Sequence, residues 1–158
     1  MVFQGQEFLE DGYFQDADPL DWSKTQKFSG ILDMYKDLVA LRRDLQGTTR
    51  GLRGKNVNVF HVNDSNKVIA YHRWDQGGAG DDVVVIANFS EKAFPAYDIG
   101  FPRGGDWSVR FNGDWKGYDA EFKDTPSNTT KASSGSKDGL GYKGTIGVGP
   151  YSVVILSQ

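Results

Sequence analysis

The side chains that could do chemistry in this chain are mostly carboxylates, and they are concentrated at its start. All 18 Lys and Arg residues lie beyond Trp22, while residues 1–22 hold six acids: Glu7, Glu10, Asp11, Asp16, Asp18 and Asp21. Paired carboxylates can act as nucleophile and general acid or base, but only where a rigid scaffold holds both across one bond. Whether these carboxylates can act therefore depends on the elements that position them.

Composition excludes several other chemistries. The chain has no Cys, so it forms neither a disulfide nor a thiolate metal site, and a reducing compartment, the cytoplasm, is expected. The two histidines, His61 and His72, are interpreted as structural, and no metal or cofactor is expected. The basic residues form no stripe of the kind that binds phosphate backbones, so nucleic acid is not an expected partner. No apolar run approaches the ~20 residues of a membrane helix, so no membrane association is expected.

One amphipathic helix is predicted over residues 28–45. Its apolar residues recur at spacings of three, four and seven, which places them on one face. They are Phe28, Ile31, Leu32, Tyr35, Leu38, Val39 and Leu45. Ser23 and Ser29 are alternative N-caps, and Gly47 is a stop signal. We expect this face to be buried.

From about Gly51 the pattern becomes that of strands and turns. Residues 56–62 alternate, residues 67–74 follow as a hairpin partner, and the apolar run 83–89 (VVVIANF) is typical of a strand buried on both faces. A mobile surface loop is predicted over residues 124–137, because Ser, Thr and Lys dominate there. Further short strands are predicted at residues 96–99, 107–111, 144–148 and 151–156. The predicted fold class is mainly β, an antiparallel β-sandwich preceded by one amphipathic helix.

Residues 1–22 do not fit a self-contained domain. An apolar start (Met1, Val2, Phe3) before a long acidic loop and a helix indicates one strand–loop–helix unit. A parallel strand needs neighbours on both sides and cover on both faces, and no other segment supplies them. We therefore expect a truncation, with residues 1–22 disordered, refolded or paired with another copy of the chain.

Several motifs resemble the C-terminal part of glycoside hydrolase family 13, closest to bacterial 1,4-α-glucan branching enzymes and their amylase relatives. They are residues 5–8 (GQEF), 19–22 (PLDW), 38–43 (LVALRR), 68–74 (VIAYHRW), 83–89 and 150–156. The resemblance implies that residues 1–47 are a remnant of a (β/α)8 catalytic barrel. Residues 48–158 would form the family's C-terminal all-β domain.

The resemblance also implies a retaining mechanism, which needs two carboxyl groups only about 5–5.5 Å apart. In this family the three catalytic carboxylates come from the fourth, fifth and seventh barrel strands, all of which would precede this segment. No catalytic residue is therefore expected here. The parent protein would be an enzyme, and the chain alone is predicted to be inactive.

Three residues of the acidic segment would border the active-site mouth of such a parent. Glu7 would support the site or contact substrate, or else be a buried carboxylate with a structural partner. Asp21 and Trp22 would border the glucan groove, or else Trp22 would pack the loop against its surroundings.

An aromatic sugar platform is predicted at Trp107, Trp115 and Tyr118. The C–H faces of a sugar are apolar while its hydroxyls stay hydrated, so an exposed flat ring can hold an α-glucan chain. In the alternative, these aromatics cover the edge of a small core.

The function predicted from sequence is a non-catalytic part of an α-glucan-processing enzyme. A branching enzyme of glycogen or starch metabolism is favoured, with the β domain stabilising the barrel. The alternatives are part of an α-amylase-type hydrolase, or a free-standing carbohydrate-binding β-sandwich. The expected partner of the parent is an α-glucan polysaccharide, and the helix face and residues 1–22 also offer a surface for self-association.

Overall fold

The structure of the chain is a computed structural model that describes residues 3–13, 15 and 17–158. The expected start of a strand at Met1 and Val2, and the acid Asp16, lie outside the described residues. Phe3 is described, and it does not belong to a strand.

Short helices come first along the described chain and strands follow. The helical elements are a 3₁₀ helix Gln6–Phe8, α1 Lys24–Lys27, α2 Ser29–Arg42 and a 3₁₀ helix Arg50–Leu52. The strands are β1 Asn56–Asn63, β2 Val68–Trp74, β3 Val83–Asn88, β4 Phe94–Phe101, β5 Gly105–Asn112, β6 Thr130–Lys137, β7 Leu140–Val148 and β8 Val153–Ser157. They pair antiparallel in the order β1-β2-β3-β8-β5-β6-β7-β4. The prediction of a mainly β, antiparallel fold preceded by an amphipathic helix is confirmed, as is the hairpin of β1 with β2.

The sheet curves around one interior core. This cluster includes Val68 and Ala70 of β2 and Phe101 of β4, and Phe60 of β1 packs against it, so strands from both ends of the strand order meet there. Trp107 of β5 belongs to the same cluster and has no exposed surface. Because each strand sends alternate side chains inward, one curved sheet encloses the core as the two layers of a sandwich do.

Strand β3 is buried on both faces, as its unbroken apolar run indicates. Val84 and Ile86 point into the interior core. Val83 and Val85 belong to a second cluster on the outer face of the sheet, together with Leu41 of α2. The helix is therefore the cover that makes an apolar outer face on β3 stable in water.

Helix α2 packs on this outer face through one predicted residue, Leu38, and through Met34 and Leu41, which were not predicted. Met34, Leu38 and Leu41 contact the second cluster, whereas Val39 and Leu45 are 51% and 62% exposed. The predicted apolar face is therefore wrong at these two positions. Association of copies through this face and residues 1–22 stays a prediction.

The helix also ends at Arg42, earlier than expected. Asp44 adopts a positive φ of 55° just beyond it. Thr49 then donates its hydroxyl to the carbonyl of Leu41 at 2.8 Å, which satisfies one of the free carbonyls at this helix end. At the other end, neither Ser23 nor Ser29 makes a side-chain capping bond.

The loop predicted over residues 124–137 is wrong at residues 130–137, because Thr130–Lys137 forms β6, whereas residues 124–129 belong to no helix or strand. This strand pairs with β5 through Thr130 and with β7 through Ser133. Its inward residues Thr130 and Ala132 are buried, and its outward residues are polar. Small and polar side chains hid the alternation, and the strand is stabilised by partners distant in sequence.

The packing of α2 predicts a sharp contrast between two neighbouring helix positions. Leu41→Ala should lower the free energy of unfolding by about 2–4 kcal/mol, because it opens a cavity between helix and sheet. Val39→Ala should change it by less than about 0.5 kcal/mol, because that side chain faces solvent. Urea unfolding followed by circular dichroism measures both. Equal effects of the two substitutions would show that α2 does not dock as described.

Candidate functional site

The acidic segment at the start of the chain folds as a loop built on one buried aromatic residue. Phe8, at the end of the first 3₁₀ helix, is 1% exposed, and its ring lies 5.4 Å from that of Trp22. The segment also contacts α2. No strand is present among its described residues, so it is held by local contacts rather than by a sheet.

Glu10 holds this loop together. Its carboxylate accepts hydrogen bonds from the backbone N–H groups of Asp11, Gly12 and Asp21 at 2.8–3.0 Å. It also accepts one from the Lys24 ammonium at 2.9 Å, and Lys24 bonds Asp11 as well. The bond to Lys24, followed by the backbone donors, lowers the pKa of Glu10 to about 2. Glu10 and Asp11 therefore stabilise the loop, and no pattern in the sequence pairs them with Lys24.

The three residues predicted at an active-site mouth lie in different settings. Asp21 accepts the backbone N–H and the hydroxyl of Ser23 at 3.0 and 2.6 Å, as a turn residue does. Trp22 is 65% exposed and, with Phe3, Tyr13 and Leu20, lines an open groove of about 550 Å³.

Glu7 does not line that groove. It is half-buried, and its Oε2 atom is buried without a hydrogen-bond partner in the described part of the chain. A buried acceptor without a partner is costly, so the surroundings of Glu7 are incomplete within the described part of the loop.

The predicted aromatic platform separates into two environments. Trp107 is fully buried beside Phe101, with ring centroids 5.1 Å apart, and its indole N–H donates to the carbonyl of Arg103 at 3.1 Å. A sugar cannot reach this ring, so the prediction is wrong for Trp107. A Trp at an inward strand position is buried in the core, as an Ile or Phe would be. The alternation of inward and outward residues along β5 is the sequence signal that could have indicated this burial.

Trp115 and Tyr118 are brought together beside a groove. Their rings meet edge to face at 5.0 Å, with Trp115 49% exposed and Tyr118 8% exposed. The groove has a volume of about 450 Å³, and Arg110, Asn112 and Asn128 contribute polar groups to its lining. A sugar-binding role stays a prediction for this pair.

Tyr118 also connects this loop to α2. Its hydroxyl donates to Asp37 Oδ2 at 2.6 Å. Burial, then the bond to the Asp37 carboxylate, raises the pKa of Tyr118 above its ordinary value. Gly30 lets the helix approach, since a Cβ there would lie 2.1 Å from the Tyr118 carbonyl oxygen. The ring that supports Trp115 is therefore positioned by the helix.

Asp114 holds the rest of the Trp115 loop. This carboxylate is 4% exposed and accepts the backbone N–H groups of Lys123 and Thr125 at 2.9 and 2.8 Å. Asp114 is thus a buried organiser of the loop, because it satisfies backbone donors that strands do not pair.

The two histidines make separate contacts and are not paired across β1 and β2. His61 lies opposite Ala70, and its Nδ1 and Nε2 atoms contact Asp138 at 3.0 Å and Tyr97 at 2.8 Å. His72 Nε2 contacts Asp82 Oδ1 at 2.9 Å. No group of three metal-ligating side chains occurs in the parts of the chain that the structure describes.

A third groove, which the sequence did not indicate, lies next to His72. Its volume is about 410 Å³, and its lining includes Trp74, Asp82, Arg103 and Tyr142. These residues come from β2, the loop before β3, the turn after β4 and β7, so only the folded sheet assembles them.

Residues 60–158 match the family described as alpha amylase, C-terminal all-beta domain. The chain belongs to this family. The match covers the strands from β2 onward, so the observed sheet is that of an α-amylase C-terminal domain. The sequence resemblance to glycoside hydrolase family 13 is thereby confirmed.

Relatives of this α-amylase C-terminal domain include two named 1,4-alpha-glucan branching enzyme GlgB. That of Dechloromonas aromatica strain RCB is 31% identical over 124 residues, covering 72% of this chain and 19% of the relative. That of Corynebacterium diphtheriae is 28% identical over 130 residues, covering 77% of this chain and 17% of the relative. The chain thus spans about a fifth of the length of these relatives.

Two solved structures share the fold. The pullulanase of Anoxybacillus sp. LM18-11 superposes with a TM-score of 0.59 at 18% identity, over 99% of this chain and 20% of the pullulanase. The α-amylase of H. orenii superposes with a TM-score of 0.51 at 14% identity, over 92% of this chain and 25% of the amylase. Within the described residues, the helices are too short or too polar to span a membrane.

The Glu10 network predicts a specific pH dependence. The folded pKa lies below the ordinary value of 4.5, so its contribution to loop stability is complete above about pH 4.5 and is lost as the pH falls towards 2. A carbon-13 NMR titration of the Glu10 carboxyl should therefore give a midpoint near 2. Lys24→Met should move this midpoint towards 4.5, because it removes the largest cause. A midpoint near 4.5 in the unsubstituted chain would contradict the network.

Proposed function

We propose that this chain is the non-catalytic C-terminal part of a 1,4-α-glucan branching enzyme, with its β domain stabilising a catalytic barrel. The observation that carries the proposal is the similarity to proteins named branching enzyme, 31% identical in one case, over a fifth of their length. An α-amylase-type hydrolase is the alternative within the family. Glycogen or starch would be the polysaccharide, and the cytoplasm is the proposed location, with which the absence of Cys agrees.

The surface of the N-terminal loop supports a docking role. Around its groove, Phe3, Tyr13 and Trp22 are between 52% and 90% exposed, although the loop itself packs around Phe8. The buried Glu7 Oε2 lacks a partner in the described chain. Contiguous exposed apolar groups beside an incomplete polar contact are typical of a surface that packs on another part of a protein. The proposed occupant is the barrel of the same polypeptide.

Helix α2 would connect the docked N-terminal loop to the β domain. One side of α2 packs on the sheet through Leu38 and Leu41, and Asp37 bonds Tyr118. The N-terminal loop contacts the same helix. A barrel seated on the loop would therefore be held against the sheet through one rigid element.

The acids of this segment support a non-catalytic role. Glu10, Asp11 and Asp21 are each bonded to local backbone or to Lys24, so they are not poised as a free pair. A retaining reaction needs two carboxyl groups held across one glycosidic bond. In the family that the sequence resembles, those groups would come from preceding barrel strands.

This proposal predicts that the 158-residue chain alone has no turnover. Incubation with amylose, with iodine staining for branching and a reducing-end assay for hydrolysis, should match a heat-treated control. Turnover above that control would contradict the proposal that the chemistry lies outside these residues.

The coding sequence upstream of Met1 provides a further test. An in-frame reading frame encoding barrel strands with the three catalytic carboxylates should precede the codon of Met1 in the genome. A stop codon in frame immediately upstream, with no barrel sequence, would contradict the proposed parent.

A second candidate function is α-glucan binding at the groove next to Trp115. The specific observation is that this half-exposed ring is held edge-on against Tyr118 beside polar groups. A ring fixed in this way loses little side-chain entropy on binding.

Trp115→Ala should lower the affinity for maltoheptaose at this groove about tenfold, as removal of a central aromatic contact commonly does. Phe89→Ala is the matched control, because Phe89 is 63% exposed and lies outside the lining of this groove. Titration calorimetry and affinity electrophoresis in glycogen measure the effect. Equal retention of both variants would contradict a sugar site at Trp115.

A further inference from the structure

The groove next to His72 has the features of a built site. It lies between the end of β2, the loop 75–82, the turn after β4 and strand β7. Its volume of about 410 Å³ falls within the range of pockets that take small ligands. Two of its lining residues, His72 and Asp82, are 8% and 2% exposed.

The lining of the groove includes a buried carboxylate, Asp82, with three hydrogen-bond partners. Asp82 Oδ1 contacts His72 Nε2 at 2.9 Å, and Asp82 Oδ2 accepts Arg103 Nε–H at 2.6 Å and the Gly78 backbone N–H at 2.9 Å. An ionised carboxylate only accepts, so His72 donates through Nε2. The Nδ1 atom of His72 has no partner in the described residues, which leaves one ring nitrogen for a ligand.

The walls of the groove are aromatic and rigid. The Trp74 ring stacks on His72 with centroids 4.4 Å apart and planes inclined by 17°. Across the groove, Tyr142 is 37% exposed and packs flat over Gly104, where a Cβ would lie 2.7 Å from its Cε1 atom. Both rings are thus fixed before any ligand arrives, which reduces the entropy lost on binding.

Hydrogen-bond donors lie at the rim. The Arg103 side chain is 56% exposed, and only its Nε is bonded within the described chain, so both terminal nitrogens are available. Gln76 adds an exposed amide next to them. Asp82 balances the charge of Arg103, so the site does not favour an anion over a neutral ligand.

This combination selects a polyhydroxylated ring. Aromatic walls match the apolar C–H faces of a sugar, while a planar guanidinium, an amide and an imidazole nitrogen can each meet its hydroxyls. We propose that the groove lined by His72, Trp74, Gln76, Arg103 and Tyr142 binds one or two glucosyl units of an α-glucan chain. This inference rests on the proposed α-glucan function, and it adds a contact separate from Trp115.

The test uses the 158-residue chain, labelled with nitrogen-15 and titrated with maltoheptaose to about 10 mM, a concentration that would nearly saturate a site with a dissociation constant of about 1 mM. The Trp74 indole N–H and the backbone N–H of Gly77 and Gly78 should shift in a saturable way. Shifts confined to the Trp115 indole would overturn the inference while leaving the second candidate function in place. If no signal shifts, both this inference and the Trp115 site are overturned. The branching-enzyme proposal is tested separately, by the turnover assay and by the coding sequence upstream of Met1.

Variants separate binding from a purely structural role of the same cluster. Arg103→Gln keeps an amide for the turn but loses two rim donors, and Trp74→Phe keeps the stack on His72 with a smaller ring. Each should weaken maltoheptaose binding at this groove at least about fivefold, whereas Phe89→Ala should not. Thermal unfolding of each variant is measured in parallel. Unchanged sugar affinity in both folded variants would show that the cluster only anchors the loop 75–82.

Discussion

The structure depends on the burial of β3 on both of its faces. Val84 and Ile86 on one face belong to the interior of the curved sheet, and Val83 and Val85 on the other belong to the layer beneath α2. A strand of this kind cannot be left open to water on either side, because each face would expose contiguous apolar surface. The sheet must therefore curve to cover one face and the helix must dock to cover the other. The positions of α2, Tyr118 and the N-terminal loop follow from that requirement.

Buried or bonded acids organise the loops around this frame. Asp114 binds the backbone of the Trp115 loop, and Asp82 joins two turns beside His72. Asp81 accepts three backbone N–H groups between Asp75 and Gly77. Burial alone would raise the pKa of Asp81, but these donors and Arg50 outweigh it, so its pKa lies below the ordinary value. Glu10 serves the N-terminal loop in the same way. The carboxylates of this chain thus accept hydrogen bonds from backbone N–H groups, which explains why so many of them form no catalytic pair.

The molecule consequently offers three surfaces of two kinds. The N-terminal loop exposes apolar side chains together with Glu7, whose polar contacts are incomplete, and these properties suit docking to a larger body. The Trp115 groove and the His72 groove combine fixed aromatic rings with polar rims, and these properties suit a hydrated ligand. The three surfaces are built from different elements, so one substitution can disturb one of them without unfolding the others.

The sequence by itself determined the class of fold, the first hairpin, the two-sided burial of β3 and the family. Those features are local, because the spacing of apolar residues, the turn residues and the contiguous motifs all depend on residues that are close together in the sequence. Only the tertiary structure decided which face of α2 is buried, because Val39 and Leu41 differ in their distance from the sheet and not in their apolar character. It also decided that β6 is a strand, since its stability comes from partners at β5 and β7. The same holds for the sites: Trp107 was separated from Trp115 by burial. Trp74, Arg103 and Tyr142 line one groove only because the folded sheet brings together segments that are distant in sequence. No spacing along the chain indicates this arrangement.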